Sequence, residues 1–222
     1  MPPPPPRSPP HRVPPRHRPR PTGRLARLRR WLRVNSIGPR RFFPGLGEAT
    51  VTAAGVHVRD YPFAPSRAYP EAFVAAGDIR GVCFHGPAYL EVAGDFIVVG
   101  REHEPALRDL MAARDVPERA SDLIWEFLLE PYLDTEVTPE QDARLLACLA
   151  ARGVPPGEVA AVRSEVGDVM YAYNFNTRLW EWAGFGLHDV LCAMRAFYPP
   201  GDFRDFYWRA IGLEARGRDR VA

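Results

Sequence analysis

Short apolar segments with β-branched residues, such as Thr52, Val56 and Val58, follow one another between residues 42 and 100, a pattern that predicts short β-strands. Three prolines between residues 61 and 70 cannot donate to a strand ladder, so this segment is predicted to be a loop. A helix is predicted over residues 104–114, and a hairpin turn at Ala93-Gly94-Asp95. The predicted strands cover residues 49–54, 56–59, 73–74, 79–84, 89–92 and 96–99.

From about residue 118 the apolar residues recur every three or four positions, which predicts helices. The first helix is predicted over residues 122–129 with Ser121 as its N-cap. Thr138 and Gln141 have the spacing of a capping box, so a second helix is predicted to begin there and to end near Gly153.

The third predicted helix carries the clearest apolar stripe of the chain, from Val159 to Tyr173. We expect a break at residues 174–176 and a new helix over 177–197. A last helix is predicted from Asp202, and the residues after Leu213 read as a charged tail.

Together these elements predict an α+β protein, with a small, antiparallel, partly rolled β module followed by an aromatic-rich helical bundle. The short strands, hairpin and helix follow an order similar to that of bacterial pleckstrin-homology-like modules, which implies a docking role. The predicted division is a disordered Pro/Arg-rich leader over 1–44, the β module over 45–116, the helical domain over 118–213 and the tail over 214–222.

Charge is distributed unevenly along the 222 residues, although the net charge is only +2. Up to Gly47 there are 12 Arg and no acidic residue, whereas from Glu48 onward 17 Arg face 27 acidic residues, a net charge of −10. This negative charge argues against a nucleic-acid-binding surface on the folded part. No apolar run approaches the roughly 20 residues that a membrane span needs.

Three widely spaced cysteines, Cys83, Cys148 and Cys192, each lie among apolar neighbours. Their odd number and spacing favour neither a disulfide framework nor a zinc site. They are interpreted as buried thiols of a protein in a reducing, cytoplasmic environment.

A short basic amphipathic helix is predicted over residues 24–33, with leucines at positions 25, 28 and 32. Its residues Arg24, Arg27, Arg30 and Trp31 are candidates for contact with anionic lipid or nucleic-acid phosphates. Two alternatives stay open. The leader is a solvated tail, or translation begins near Val34, since a lysine-free, Arg- and Pro-rich composition is typical of GC-rich genomes.

The string LLEPYLDTE at residues 128–136, followed by Trp180-Glu181-Trp182, resembles a motif of a bacterial protein family of unknown function. The resemblance spans about residues 121–197 and implies no activity. Locally, Asp134 or Thr135 is expected to hydrogen-bond nearby backbone N–H groups in a turn, and Glu136 to lie near the N-terminus of the following helix.

One group of polar residues suggests a catalytic or metal site. His188 and Glu181 share a polar stripe on the predicted helix over 177–197, and this stripe would meet Asp134 and Glu136 if it faced their turn. Such a cluster would suit a hard metal or general acid–base catalysis. His57, His85 and His103 are interpreted as isolated.

The sequence contains no phosphate-binding glycine motif, nucleophile elbow or zinc-protease motif. The first prediction is therefore a non-enzymatic protein-interaction or scaffolding role without a cofactor, with the 61–70 loop and a sheet edge as docking surface. The alternatives are a metal-dependent or acid–base enzyme, and attachment to membrane or nucleic acid through the leader. The partner and the oligomeric state are left open.

Overall fold

The computed structural model describes residues 23–133, 137–177 and 184–216. Their fold is mixed α+β, as predicted, with two antiparallel three-stranded sheets in the order β1-β2-β3 and β4-β5-β6. The strands are β1 Glu48–Thr52, β2 Gly55–Arg59, β3 Ala72–Ala75, β4 Ile79–Cys83, β5 Ala88–Val92 and β6 Asp95–Val99.

The hairpin between β5 and β6 closes on two residues, Ala93 and Gly94, because Val92 pairs with Asp95. Both loop residues have positive φ, 46° and 80°, which matches the right-handed twist of the strands. The free edge of β4 is covered by residues 117–119, since the N–H of Val82 donates to Pro117 and the N–H of Arg119 donates to Val82.

Seven α-helices lie within the described residues. The predicted helix over 104–114 and the Thr138 capping box are both confirmed. The helices are α1 Arg24–Asn35, α2 Glu104–Arg114, α3 Ile124–Leu129, α4 Pro139–Ala151, α5 Pro156–Thr177, α6 Leu187–Phe197 and α7 Pro200–Ala215.

Part of the expected leader is folded. Residues 24–35 form α1, and the turn after it buries Ile37 and Phe42 against the body of the protein. The expected disorder over residues 1–44 is therefore wrong for residues 24–44. These residues are ordered because of tertiary contacts. A helix as short as α1 needs partners, and it finds them on α5 and α6.

Several helix boundaries differ from the prediction. α7 begins at Pro200, before the predicted start at Asp202, and continues to Ala215, so residues 214 and 215 belong to the helix and not to the charged tail. α5 continues to Thr177 without a break at residue 174, because Tyr173 and Asn174 are buried within it. α6 begins only at Leu187, after non-helical residues 184–186, of which Gly186 is the N-cap. α3 starts after Leu123, whose φ is 56°, and Ser121 accepts a hydrogen bond from the N–H of Leu123 instead of capping the helix.

One hydrophobic cluster joins the β-rich and the helical halves of the chain, from Val34 to Leu213. Polar contacts also cross this junction. The N–H of His188 on α6 donates to the hydroxyl of Tyr89 on β5, and Arg195 on α6 donates to the carbonyl of Pro62. The two halves therefore share one core.

No single helix in the described part of the chain is both long and apolar enough to cross a membrane. The pair Pro139–Ala151 and Pro156–Phe175 meets those criteria only jointly, and it is bent by 111°.

Candidate functional site

A cavity of about 370 Å³ opens where the second sheet meets α3, the N-terminus of α6 and the C-terminus of α7. Apolar side chains, among them Phe96, Trp125 and Phe185, form part of its wall. Six acidic, phenolic or imidazole residues line it as well: His85, Tyr89, Glu126, His188, Asp189 and Glu214. We call this site the acidic cavity.

His85 and Glu126 form an ion-pair contact at the acidic cavity, with His85 Nε2 at 2.6 Å from Glu126 Oε1. His85 follows β4 in a loop, and Glu126 lies in the first turn of α3. The two side chains are 54% and 28% exposed, so this pair is open to solvent. Burial raises the pKa of Glu126, against the opposing effect of His85.

The N-terminus of α6 contributes Asp189 to the cavity. Asp189 Oδ2 accepts from the N–H of the N-cap Gly186 at 2.9 Å, and Oδ1 accepts from the hydroxyl of Tyr173 at 2.9 Å. An acidic side chain in this position also interacts favourably with the helix dipole. Both oxygens of Asp189 are thus held in place before any ligand enters.

Tyr89 connects the second sheet to α6, because its hydroxyl accepts the backbone N–H of His188 at 3.3 Å. Burial raises the pKa of Tyr89 well above 10.0, and the charges of Asp189 and Glu214 raise it further. The phenol is therefore neutral at physiological pH and retains a proton that it can donate.

His188 and Cys192 lie one helical turn apart on α6, with Nε2 and Sγ separated by 3.3 Å. Burial lowers the pKa of His188 and raises that of Cys192, so that both are neutral near pH 7. A reactive cysteine needs a lowered pKa and solvent access, whereas Cys192 is 1% exposed. This pair is therefore structural and not a thiol–imidazole nucleophile.

Of the four residues predicted from sequence to form a site, His188 is at the acidic cavity. Asp134, Glu136 and Glu181 lie outside the described residues. The predicted helix over 177–197 is not continuous, since residues 184–186 are not helical and α6 begins only at Leu187.

The sequence prediction missed the other polar residues of the cavity, and it wrongly interpreted His85 as isolated. His85 and Glu126 are 41 positions apart, so no local spacing relates them. A weak signal existed for Asp189, because it stands three residues after Gly186 as in a capping motif.

The two other histidines of the described residues, His57 and His103, are partly exposed and do not line the cavity. His57 Nε2 lies 2.8 Å from Glu71 Oε1, and His103 Nε2 lies 3.5 Å from Glu102 Oε1. No group of three or more His, Cys, Asp or Glu in residues 23–133, 137–177 and 184–216 has the geometry to hold a metal ion.

The basic residues singled out in the leader belong to α1. Arg30 packs on the body, with its side chain 13% exposed, whereas Arg24 and Arg27 are exposed and Trp31 is 59% exposed. The 61–70 loop, predicted to dock partners, is instead anchored in the core by Tyr61, Phe63 and Ala68.

Comparison with protein-family models, with curated proteins and with solved structures finds no match to this chain. The resemblance suggested by residues 128–136 therefore stays a prediction. The function of the protein has to be inferred from the geometry and charge of the acidic cavity.

Proposed function

We propose that this protein binds a small cationic molecule in the acidic cavity. The observation that carries the proposal is the charge of the lining. It contains Glu126, Asp189 and Glu214 but no arginine among the described residues, in a chain with 29 Arg. Apart from His85, which contacts Glu126, the ionisable groups that give the lining its charge are acidic, and a concave site with such a lining raises the local concentration of cationic ligands.

The volume and the wall support the same ligand class. About 370 Å³ is near the lower end of the range for small-molecule sites, so the ligand is compact. Aromatic faces and carboxylates together suit an ammonium group, which gains from both cation–π and charge–charge contacts. Trp125 and Phe96 supply the aromatic surface, and Tyr89 supplies a neutral donor.

The test uses the full chain and a panel of ethanolamine, choline and putrescine, measured by ligand-observed NMR and by thermal shift. Ethylene glycol and acetate serve as the neutral and anionic probes. We expect at least one amine to bind and to raise Tm, with no effect of the two other probes. Binding of acetate, or no binding by any amine, would overturn the proposal.

Two variants give the residue-level test. Glu126→Gln removes one charge from the cavity and should weaken amine binding by about tenfold. Glu140→Gln is the matched control, because Glu140 is exposed on α4 and does not line the cavity. Equal loss of affinity in both variants would indicate a general charge effect instead of a site.

An acid–base reaction on the bound amine is the second candidate. It is favoured by the contact between His85 and Glu126, in which the carboxyl group has a raised pKa. If the protein is an enzyme, Glu126→Gln should abolish turnover of the amine, whereas its affinity for the amine should fall by only about tenfold. A binding protein would leave the amine unchanged on prolonged incubation.

The interaction role expected from the sequence also stays a proposal, and so do a pleckstrin-homology-like arrangement of the sheets and a cytoplasmic location. The interaction role is supported by β3, an edge strand on which Phe73 is 57% exposed. Affinity purification from the native host, with Phe73→Ser as the comparison bait, tests it. A partner retained equally by both baits would exclude this edge.

A further inference from the structure

α1 packs on the body of the protein through its less apolar side. Val34 is 3% exposed and the Arg30 side chain is 13% exposed on the inner side. On the outer side, four large apolar residues are 52–73% exposed. We call these residues, Leu25, Leu28, Trp31 and Leu32, the outer face of α1.

Directed polar contacts fix this orientation. Arg30 Nε donates to Asp168 Oδ2 at 2.9 Å, and its terminal nitrogen donates to the carbonyl of Glu165 at 2.6 Å. Arg33 donates to the carbonyl of Phe197 at 2.6 Å. Both guanidinium groups also stack on the ring of Phe197, at 4.9 and 4.8 Å from its centroid.

This is the reverse of an ordinary surface helix, which turns its apolar stripe toward the core. Rotating α1 to bury its leucines would break the contacts of Arg30 and Arg33 with α5 and α6. The outer face is therefore held toward solvent by the fold itself, and exposed apolar surface of this kind marks an interaction site.

The charges around the outer face identify the chemistry of its partner. Arg24, Arg27 and Arg29 are exposed beside it, and no acidic residue occurs before Glu48. The rest of the chain carries a net charge of −10, so an anionic surface is attracted to this end and repelled elsewhere.

We propose that α1 lies in the plane of an anionic lipid bilayer, with its outer face among the acyl chains and its exposed arginines at the headgroup phosphates. A helix of 12 residues is about 18 Å long and lies flat without spanning the membrane. Trp31 is suited to the interface, where one end of the indole is wet. A nucleic acid would engage the arginines but would leave the leucines of the outer face in water.

The experiment measures binding of the full chain to vesicles of phosphatidylcholine alone and of phosphatidylcholine with about 30% phosphatidylglycerol, whose anionic headgroups give a negative surface potential. We expect co-sedimentation with the anionic vesicles and about tenfold weaker binding to the neutral ones. Binding to anionic vesicles should fall as salt rises.

Matched variants separate the apolar from the charged contribution. The double variant Leu28→Gln, Leu32→Gln should weaken binding to anionic vesicles by about tenfold, since two inserted side chains become polar. Phe73→Gln is its control, an exposed apolar residue on β3. Arg24→Gln, Arg27→Gln should flatten the salt dependence, whereas Arg144→Gln, Arg204→Gln on α4 and α7 should not.

Three results would overturn the proposal. The first is vesicle binding that the leucine variant leaves unchanged, which indicates phosphate contact alone. The second is tight binding to duplex DNA that depends on the arginines but not on the leucines. The third is absence of vesicle binding together with a dimer that the leucine variant dissociates, which assigns the outer face to a second copy of the chain.

Discussion

The hydroxyl of Tyr207 donates a hydrogen bond of 2.6 Å to Asp95 Oδ1, and both residues are fully buried. The same carboxylate accepts from the N–H of Phe96, from the N–H of Arg67 and from the hydroxyl of Ser66. Asp95 thus connects β6, α7 and the 61–70 loop. A buried carboxylate is compatible with folding when its oxygens are satisfied in this way.

We expect Asp95→Ala to lower the free energy of unfolding by about 3 kcal/mol or more, because several buried donors lose their acceptor. Tyr207→Phe removes one donor and should cost about 1–2 kcal/mol. Urea denaturation provides the measurement, and Asp205→Ala, at an exposed position of α7, is the control. A value for Asp95→Ala within about 0.5 kcal/mol of the control, the spread of surface substitutions, would contradict this account.

A second buried charge is Glu165, whose side chain is 2% exposed and pairs with Arg209. It also accepts a hydrogen bond from the hydroxyl of Tyr198. Arg209→Met should destabilise the protein by about 3 kcal/mol, because the carboxylate stays buried without its cation. The double variant with Glu165→Gln should recover part of this loss in the same denaturation assay, and Arg204→Met on α7 should have little effect. No recovery in the double variant would count against the ion pair.

The pH dependence of stability should reflect His188. Burial holds the pKa of its imidazole below the ordinary value of 6.5 in the folded state, with Asp189 opposing. The stability that this group contributes is present above pH 6.5 and is lost as the pH falls through the lowered folded-state pKa. We therefore expect His188→Gln to lose less stability than the parent between about pH 7.5 and pH 5. His57→Gln, at a more exposed imidazole, is the control, and parallel curves for His188→Gln and the parent would refute this assignment.

The three thiols should differ in reactivity. Cys148 is partly exposed, whereas Cys83 and Cys192 are buried. Burial also raises the pKa of Cys192, which reduces its thiolate fraction. Iodoacetamide at about pH 8 should modify Cys148 at least about tenfold faster than the other two, as measured by peptide mass spectrometry. All three should react alike in denaturant, and rapid modification of Cys192 in the native protein would show that the core opens.

Attachment of α1 to the body of the protein should depend on Arg30 more than on Arg29. Arg30→Gln removes the ion pair with Asp168, so amide hydrogen exchange should accelerate over residues 24–35. Arg29→Gln changes an exposed side chain and should leave exchange unchanged. Equal exchange in both variants would show that Val34 and the following turn hold the helix without Arg30.

Local signals predicted several elements well. The Thr138–Gln141 capping box and the valine stripe of α5 are both recognised from spacings of three or four residues along the chain, and both are present as expected. Boundaries that depend on distant contacts were predicted less well. Gly186 was placed inside a helix, although it is the N-cap of α6 with Asp189 as its acceptor.

The sequence by itself determined most of the strand and helix segments, the uneven charge and the amphipathic pattern of α1, because each depends on neighbours along the chain. Only the tertiary structure decided which way α1 faces, since that orientation results from Arg30 meeting Asp168, 138 positions away. The same holds for the acidic cavity, which brings residues from β5, α3, α6 and α7 together. Side chains so far apart in sequence become neighbours only when one hydrophobic core packs both halves of the chain.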